Sequence, residues 1–246
     1  WWYYFPVAMA LKLTLPFLLL SLGSACLACK RIITNREFKF LWLLIPALVY
    51  LIFVLFSHIN IGVRYMLPMF PFLIILSAWL LDQLLEIRTS RVASAAVLIL
   101  LAWILVEAVR AYPNHISYMN QIASREPHWW YLSDSNVEWG DDLHQLAEYL
   151  QQKGERRVQD ATLGGFGVLQ YYGIERTDGL STNPPDASVP RYIAIGASFL
   201  NGSTIPTGPP GSKRDELMTR VNFFEEYRNR VPEAIIGDSI YVFRVR

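Results

Sequence analysis

Four long apolar runs in the first half of the chain restrict its possible folds more than any other sequence feature. They cover approximately residues 5–28, 40–57, 66–85 and 92–111. Each run approaches the roughly 20 residues that the hydrocarbon core of a bilayer requires. Backbone groups in hydrocarbon must pair within their own segment, so each run is predicted to form a transmembrane helix. We therefore expect a membrane α-helical domain over residues 1–111.

The rest of the chain, residues 112–246, has the composition of a water-soluble domain. Its net charge is −4, against +5 for residues 1–111, and it lacks a comparable apolar run. The stretch DDLHQLAEYLQQKG has the leucine spacing of a helix, with acids at its favoured end. VQDATLGG, RYIAIGASFL and SIYVFRVR are typical of strands, and SKRDELMTRVNFFEEYRNR is typical of another helix. We expect a small α/β or α+β domain.

The charges of the loops between the apolar runs predict the orientation of the helices. The first and third loops, CKRIITNREFK and EIRTSR, carry four and two basic residues, whereas SHINIGVRY carries one. Loops rich in Lys and Arg remain in the cytoplasm, so the first and third loops are predicted to be cytoplasmic. The start of the chain, the loop at residues 58–65 and the C-terminal domain are then expected to be extracytoplasmic.

The beginning of the chain has the character of a helix entering a membrane. The opening WWYYFP supplies the aromatic side chains that are enriched at membrane interfaces, without the basic leader of a signal peptide. We expect the chain to be the C-terminal piece of a longer protein.

The sequence has no pattern typical of nucleic-acid or metal binding. The C-terminal half is acidic, which disfavours a basic groove for nucleic acid. His115, His128 and His144 are dispersed and lack the spacing of metal ligands. Cys26 and Cys29 have no second pair to complete a metal site and are expected to be apolar helix residues. We therefore expect no metal, no cofactor and no nucleic-acid partner.

Charged residues at the edges of the apolar runs are candidates for function, since ionisable groups in a membrane are energetically costly. Lys12, Arg64 and Glu107 share the predicted extracytoplasmic leaflet. Arg64 and Lys12 are predicted to bind a phosphate, because guanidinium offers a planar fork and ammonium a mobile charge. Glu107 is predicted to be their counter-ion when no ligand is bound. The alternative is that Lys12 snorkels to the interface and Arg64 anchors a helix.

Three segments give the chain a specific resemblance: YYFPVAMALKLTLP, HINIGVRYMLPMFPFL and YLSDSNVEWGDDLHQLAEYL. They resemble the C-terminal half of GT-C superfamily membrane glycosyltransferases, in particular the bacterial protein-mannosyltransferase-like group that uses a polyprenyl-phosphate sugar. The resemblance covers nearly the whole chain. It implies a multi-pass enzyme of the bacterial inner membrane that transfers a sugar on the extracytoplasmic face. The donor would be lipid-linked, and the acceptor a protein, a lipid or a glycan.

The resemblance also implies roles for individual residues. Arg64 in GVRYMLP and Lys12 in LKLTLP match basic positions that face the carrier phosphate, and His58 and Tyr65 are expected to add hydrogen bonds. In such enzymes the catalytic base lies in the first extracytoplasmic loop, which is expected upstream of this sequence. The pair Asp141–Asp142 is not its equivalent.

Two other classes of protein fit parts of the sequence. A non-enzymatic membrane protein could bind a ligand or partner through its outer domain, in which case Arg64 and Lys12 would be anchors. A transporter would place polar residues through the bilayer midplane, whereas the charges here gather in one leaflet. We therefore expect a transferase, with the ligand-binding membrane protein as the alternative.

Overall fold

The computed structural model describes residues 2–57, 62–86, 91–123, 127–164, 167–180, 190–205, 219 and 221–245, with the backbone alone at residue 128. The chain divides into two compact units. Residues 1–112 and 119–124 form a helical unit, and residues 113–118 and 125–246 form a unit built on a β-sheet. The division lies close to the boundary predicted at residue 111, except that the segment 119–124 belongs with the helices.

Within its described residues, the helical unit has four helical segments long and apolar enough to cross a membrane, as the sequence predicts. They are Leu15–Asn35, Phe38–Leu55, Val63–Glu86 and Arg91–Ala111. The α-helices are α1 (Tyr4–Lys12), α2 (Leu15–Asn35), α3 (Leu41–Leu55), α4 (Phe70–Glu86) and α5 (Arg91–Ala111), with 3₁₀ segments Phe38–Phe40 and Val63–Met69 before α3 and α4. These segments indicate a membrane protein.

The first apolar run forms two helices, although the sequence analysis predicts one helix over residues 5–28. α1 ends at Lys12, Leu13 has extended backbone with ψ of 144°, and α2 begins at Leu15. In a continuous helix Pro16 could not donate to the Lys12 carbonyl, and its ring would clash with that group. Pro16 lies instead in the first turn of α2, where its missing N–H costs little. Lys12 therefore ends a short helix and lies outside the membrane-length segments.

α2 and α4 run in the same direction and pack along their length. The buried hydroxyl groups of Ser21 and Ser77 approach to 3.5 Å. Farther along both helices, Arg31 Nη2 donates to Gln83 Oε1 at 2.8 Å. Small side chains at such an interface let two helix backbones approach closely. The starts of α2 and α4 therefore lie at the same end of the helical unit.

The second unit is built on a mixed sheet of five described strands in the order β2–β1–β3–β5–β4. The strands are β1 (Arg157–Ala161), β2 (Glu175–Asp178), β3 (Tyr192–Gly196), β4 (Ala234–Ile236) and β5 (Ile240–Arg244). β1 pairs in parallel with β2 and β3, and β5 is antiparallel to β3 and β4. A small mixed sheet with helices agrees with the α/β or α+β class expected from the sequence.

Helices pack on both faces of this sheet. They are α6 (Leu143–Gln152), α7 (Val168–Tyr171), α8 (Ala197–Leu200) and α9 (Glu225–Arg228), with 3₁₀ turns His128–Trp130 and Asp134–Asn136. On one face Leu150 of α6 and Leu169 of α7 are buried with Val242 of β5. On the other face the ring of Tyr227 in α9 lies 5.1 Å from that of Phe243 in β5. The helices thus bury both sides of the central strands.

Three of the five strands lie where the sequence predicts them. SIYVFRVR contains β5, and VQDATLGG includes all of β1 except Arg157. RYIAIGASFL contains β3, although its last four residues form α8. The polar β2 and the short β4 are not predicted. The helix predicted over residues 212–230 is described only at residue 219 and from residue 221 onward. Residues 219, 221 and 222 are helical, as predicted, and α9 forms a separate single turn after them.

The turn between β4 and β5 provides a prediction, because Gly237 has φ of +59° and a Cβ there would clash with the buried Asp142 carboxylate. We expect Gly237→Ala to lower the free energy of unfolding by about 2–4 kcal/mol, from overpacking added to backbone strain. Gly154 is a matched control, since its φ is +73° but no heavy atom lies within 4 Å of its Cβ position. Gly154→Ala should cost only about 1–2 kcal/mol. Equal losses in denaturant unfolding, followed by tryptophan fluorescence, would contradict the prediction.

Candidate functional site

Arg64 lies in the 3₁₀ segment that precedes α4, and its side chain is exposed. Gly62, just before this segment, has φ of +134°, a conformation that is essentially restricted to glycine. Tyr50 Oη donates to the Tyr65 carbonyl at 2.7 Å, and Met66 is fully buried. The guanidinium carbon of Arg64 lies 5.8 Å from the centre of the Tyr65 ring. The fixed segment therefore presents Arg64 and Tyr65 side by side.

Lys12 is the last residue of α1, and Asn120 satisfies the backbone around it. The Asn120 side-chain amide donates to the carbonyls of Ala10 and Leu13, both at 2.6 Å. The backbone N–H of Asn120 donates to the Leu11 carbonyl at 2.8 Å. A helix C-terminus leaves carbonyl groups without intrahelical partners, and here Asn120 supplies the donors. The half-buried Lys12 lies where the dipole of α1 favours a cation.

Glu107 lies near the end of α5 and is buried, with 4% of its surface exposed. Its carboxylate accepts hydrogen bonds from the indole N–H of Trp103 at 3.1 Å and from the side-chain amide of Gln121. Gln121 directly follows Asn120 in the sequence. One short stretch of chain therefore contacts both the end of α1 and Glu107.

These contacts bring Lys12, Arg64 and Glu107 to one end of the helical unit. α2 begins directly after Lys12, and the ring of Phe17 in α2 lies 6.3 Å from that of Phe70 at the start of α4. Arg64 shortly precedes Phe70. The Asn120–Gln121 pair connects the end of α1 to the Glu107 end of α5. His58, which the sequence analysis groups with these residues, lies outside the described part of the chain.

The arrangement places the two predicted basic residues, Lys12 and Arg64, and the predicted counter-ion Glu107 at one end of a unit of membrane-length helices. Arg64 offers a planar set of donors, and its exposure gives an anion direct access. The Tyr65 hydroxyl can donate to the same anion. These groups are suited to an anionic headgroup, such as the phosphate of a membrane lipid.

Asn120 and Gln121 are the residues at this end that the sequence analysis does not identify. The rise in polarity after residue 112 predicts instead that both belong to the outer domain. Asn120 is nevertheless only 2% exposed. The sequence feature that could have identified them is a pair of neighbouring amide side chains soon after a membrane-length helix. Such side chains can donate hydrogen bonds to unpaired backbone carbonyl groups in apolar surroundings.

The sheet-containing unit holds a buried acid at the carboxyl ends of β1 and β3. Glu138 is 2% exposed and accepts hydrogen bonds from the backbone N–H groups of Leu163 at 2.8 Å and Ser198 at 3.3 Å. Gly196 leaves space for this carboxyl group, because a Cβ there would clash with it. Burial raises the pKa of Glu138 to about 8. The side chain is therefore mainly protonated at neutral pH.

Asp142 is a second buried acid, at the start of α6. The sequence explains an acid there by the helix dipole, and Asp142 does occupy the N-cap position, but its side chain makes no capping hydrogen bond. Its carboxylate accepts instead from Ser239 Oγ at 2.5 Å and Gln145 Nε2 at 3.0 Å. Burial raises the pKa of Asp142 to about 6. We assign this residue a structural role, since it fastens the β4–β5 turn to α6.

Comparisons of the chain with protein-family models, curated proteins and solved structures give no match. Among the described residues, no three His, Cys, Asp or Glu side chains are grouped so that they could hold a metal ion. Function must therefore be inferred from the residues of this chain.

The buried Asn120 yields a prediction for the helical unit. Asn120→Ala would leave the carbonyls of Ala10 and Leu13 without their side-chain donor, so we expect the free energy of unfolding to fall by about 2–4 kcal/mol. Asn35→Ala is the control, because the Asn35 amide makes an exposed contact of 3.4 Å with Glu37. Thermal unfolding of the chain in nanodiscs measures both variants. Similar losses for the two would contradict the prediction.

Glu138 yields a prediction about pH. Its pKa is raised from 4.5 to about 8, so the folded protein holds a proton that the unfolded chain releases over this range. Stability should therefore fall as pH rises from about 4.5 to about 8, by up to about 1.4 kcal/mol per pH unit. Glu138→Gln should reduce the slope, most clearly above pH 6, where Asp142 is largely ionised. Denaturant unfolding at a series of pH values tests this expectation.

The control for this measurement is Glu148→Gln, the same change at an exposed position of α6. This variant should keep the wild-type dependence of stability on pH. A Glu138→Gln variant with the wild-type slope between pH 6 and 8 would show that another group causes the loss.

Proposed function

We propose that this chain is the C-terminal part of an integral-membrane glycosyltransferase of the GT-C type. The enzyme moves a sugar from a polyprenyl-phosphate carrier to an acceptor on the extracytoplasmic face, and Arg64 and Lys12 bind the carrier phosphate. The observation that carries the proposal is the grouping of Arg64, Lys12 and Glu107 at one end of a unit with four membrane-length helices. A lipid-linked substrate needs this combination of an apolar surface and cations at its edge.

The chemistry of the transfer explains why cations are useful at this end. When the bond between the sugar and the carrier breaks, the electron pair stays with the phosphate, which gains negative charge. Preorganised donors are most effective where charge develops in the transition state. In the proposed mechanism Arg64 donates to two phosphate oxygens, and Lys12 neutralises the added charge.

Glu107 and Tyr65 support these two cations in the proposal. Glu107 is held by Trp103 and Gln121, so its carboxylate has a fixed position near the end of α5. It balances the positive charge when the carrier phosphate has left. Tyr65 lies beside Arg64 and supplies a hydroxyl donor. The role of His58 stays a prediction from the sequence.

The acceptor hydroxyl requires a base, and we assign none within this chain. Asp142 and Glu138 are buried and make internal hydrogen bonds that fix loops of the sheet-containing unit. The proposal places the base in an upstream loop of the full-length protein, as the resemblance to GT-C enzymes implies.

The proposal predicts how single substitutions change the binding of polyprenyl phosphate to the chain in nanodiscs. Arg64→Ala should weaken binding by about tenfold or more, because a hydrogen bond to a charged group contributes about 1.5–3 kcal/mol. Lys12→Ala should weaken binding in the same direction. A fluorescent polyprenyl phosphate provides the measurement, with the uncharged polyprenol as the reference ligand.

Lys39→Ala is the matched control for these variants. Lys39 is also basic, but it pairs with Glu37 at 3.1 Å beside the far end of α2. Its removal should leave the affinity unchanged. Equal affinities for wild type and Arg64→Ala, or equal affinities for polyprenol and polyprenyl phosphate, would overturn the proposal. Phosphate-dependent binding without sugar transfer by the full-length protein would support the ligand-binding alternative instead.

A further inference from the structure

A cavity of about 620 Å³ opens at the carboxyl ends of the parallel strands in the sheet-containing unit. Its volume is within the range of small-molecule binding pockets, about 300–1,000 Å³. Each of the three parallel strands contributes to the lining from its end: Thr162 follows β1, Asp178 ends β2, and Phe199 lies in α8 after β3. Gln170 of α7 completes one wall.

The connections of the strands explain why a cavity forms at this place. From β1 the chain passes through α7 to β2 on one side, and then returns to form β3 on the other side of β1. The segments after β1 and β3 lead to helices on opposite faces of the sheet, and this divergence leaves a crevice. Ligands of open α/β sheets bind at such points, outside the carboxyl ends of the strands.

Glu138 holds the two segments that border the crevice. Its carboxyl group accepts from the N–H of Leu163 after β1 and from the N–H of Ser198 after β3. Leu163 itself lines the cavity, and Ser198 directly precedes the lining residue Phe199. The buried side chain of Glu138 therefore fixes the position of both segments that form the cavity walls.

The polar side chains of the cavity are positioned by a buried acid. Arg176 forms an ion pair with Asp160, which is 3% exposed, and Thr162 Oγ1 donates to the same carboxylate at 2.7 Å. Asp178 Oδ1 accepts from the N–H of Leu180 at 2.9 Å, which leaves its second oxygen available to a ligand. Arg176 and Asp178 are two positions apart on β2, so they lie on the same face of the sheet.

The charges at this cavity disfavour an anionic ligand. The two charged side chains in the lining, Arg176 and Asp178, cancel each other, and the buried Asp160 beside Arg176 adds a further negative charge, so no excess positive charge is available for a phosphate or a carboxylate. A cationic ligand would meet the guanidinium group. A molecule that both donates and accepts hydrogen bonds without carrying charge can use Asp178, Arg176 and Gln170 together.

We propose that this cavity binds a neutral saccharide. Adjacent sugar hydroxyls donate to the Asp178 carboxylate and accept from Arg176 and Gln170, a pairing that uses both kinds of group. The C–H face of the sugar packs on the apolar part of the lining, which includes Leu163 and Phe199. This site lies wholly within the sheet-containing unit and uses none of the residues assigned to the carrier phosphate.

The proposal is tested with the whole chain in nanodiscs, which avoids detergents that carry a sugar headgroup. Saturation-transfer NMR at millimolar ligand measures the binding of glucose, mannose, galactose, N-acetylglucosamine and maltose, and ³¹P line broadening measures inorganic phosphate. We expect at least one saccharide to bind. Gln170→Ala and Asp178→Asn should each weaken its binding by about tenfold, since each removes a ligand contact.

Matched controls separate loss of the site from loss of the fold. Glu175→Gln makes the same carboxylate-to-amide change on β2, at an exposed residue that pairs with Arg157. Gln151→Ala removes a glutamine from α6, where its amide donates to the Tyr172 carbonyl. Both controls should bind the saccharide as wild type does.

Several outcomes would overturn the proposal. They are the absence of binding by every saccharide, unchanged binding by Gln170→Ala and Asp178→Asn, and equal losses in the two controls. Binding of inorganic phosphate that these two variants abolish would also overturn it, because the cavity would then select an anion. The binding of polyprenyl phosphate is measured with other variants, so a failure of the saccharide proposal would not overturn the proposed function.

Discussion

Backbone carbonyl groups left open by a broken helix must find donors, and this requirement shapes the end of the helical unit where the candidate residues lie. Pro16 prevents one continuous helix, so the carbonyls of Ala10, Leu11 and Leu13 have no helical partner. Asn120 supplies all three donors. An unpaired peptide group in apolar surroundings costs about 2–7 kcal/mol, which ties the segment 119–124 to the helices. The position of Lys12 follows from this pairing.

Backbone groups without a partner in the secondary structure also occur in the sheet-containing unit, where the carboxyl group of Glu138 supplies the acceptor. Two backbone N–H groups at the ends of neighbouring parallel strands, those of Leu163 and Ser198, face the buried carboxyl group of Glu138. Glu138 accepts from both, and burial keeps it protonated at neutral pH, which avoids the larger cost of an isolated buried charge. Because these strand ends also border the cavity, the geometry available to a ligand depends on a side chain outside the lining.

The four membrane-length helices are predictable from the sequence, because apolar length alone determines whether a segment can span a bilayer. β5 is predictable because its four buried residues are all β-branched or aromatic, and β3 because three of its five buried residues are. β1 has only Val158 of this kind among its buried residues, and the turn residues Gly164 and Gly165 that follow it in the sequence support the prediction. β2, with the sequence ERTD, and β4, with three residues, carry no periodic pattern and depend on their neighbours. Pro16 signals the break after α1. The role of Asn120 could not be predicted, since it joins residues 107 positions apart.

The two candidate sites differ in the ligand that their charges select. Arg64 and Lys12 are basic groups at the edge of an apolar unit, which suits an anion attached to a lipid tail. The cavity beside β2 instead balances Arg176 with carboxylates, so hydroxyl groups are better ligands there than phosphate. A sugar transfer involves one substrate of each kind, a charged lipid carrier and a hydroxyl acceptor. A membrane-anchored protein that only binds a ligand through its outer domain would need the cavity but not the two cations.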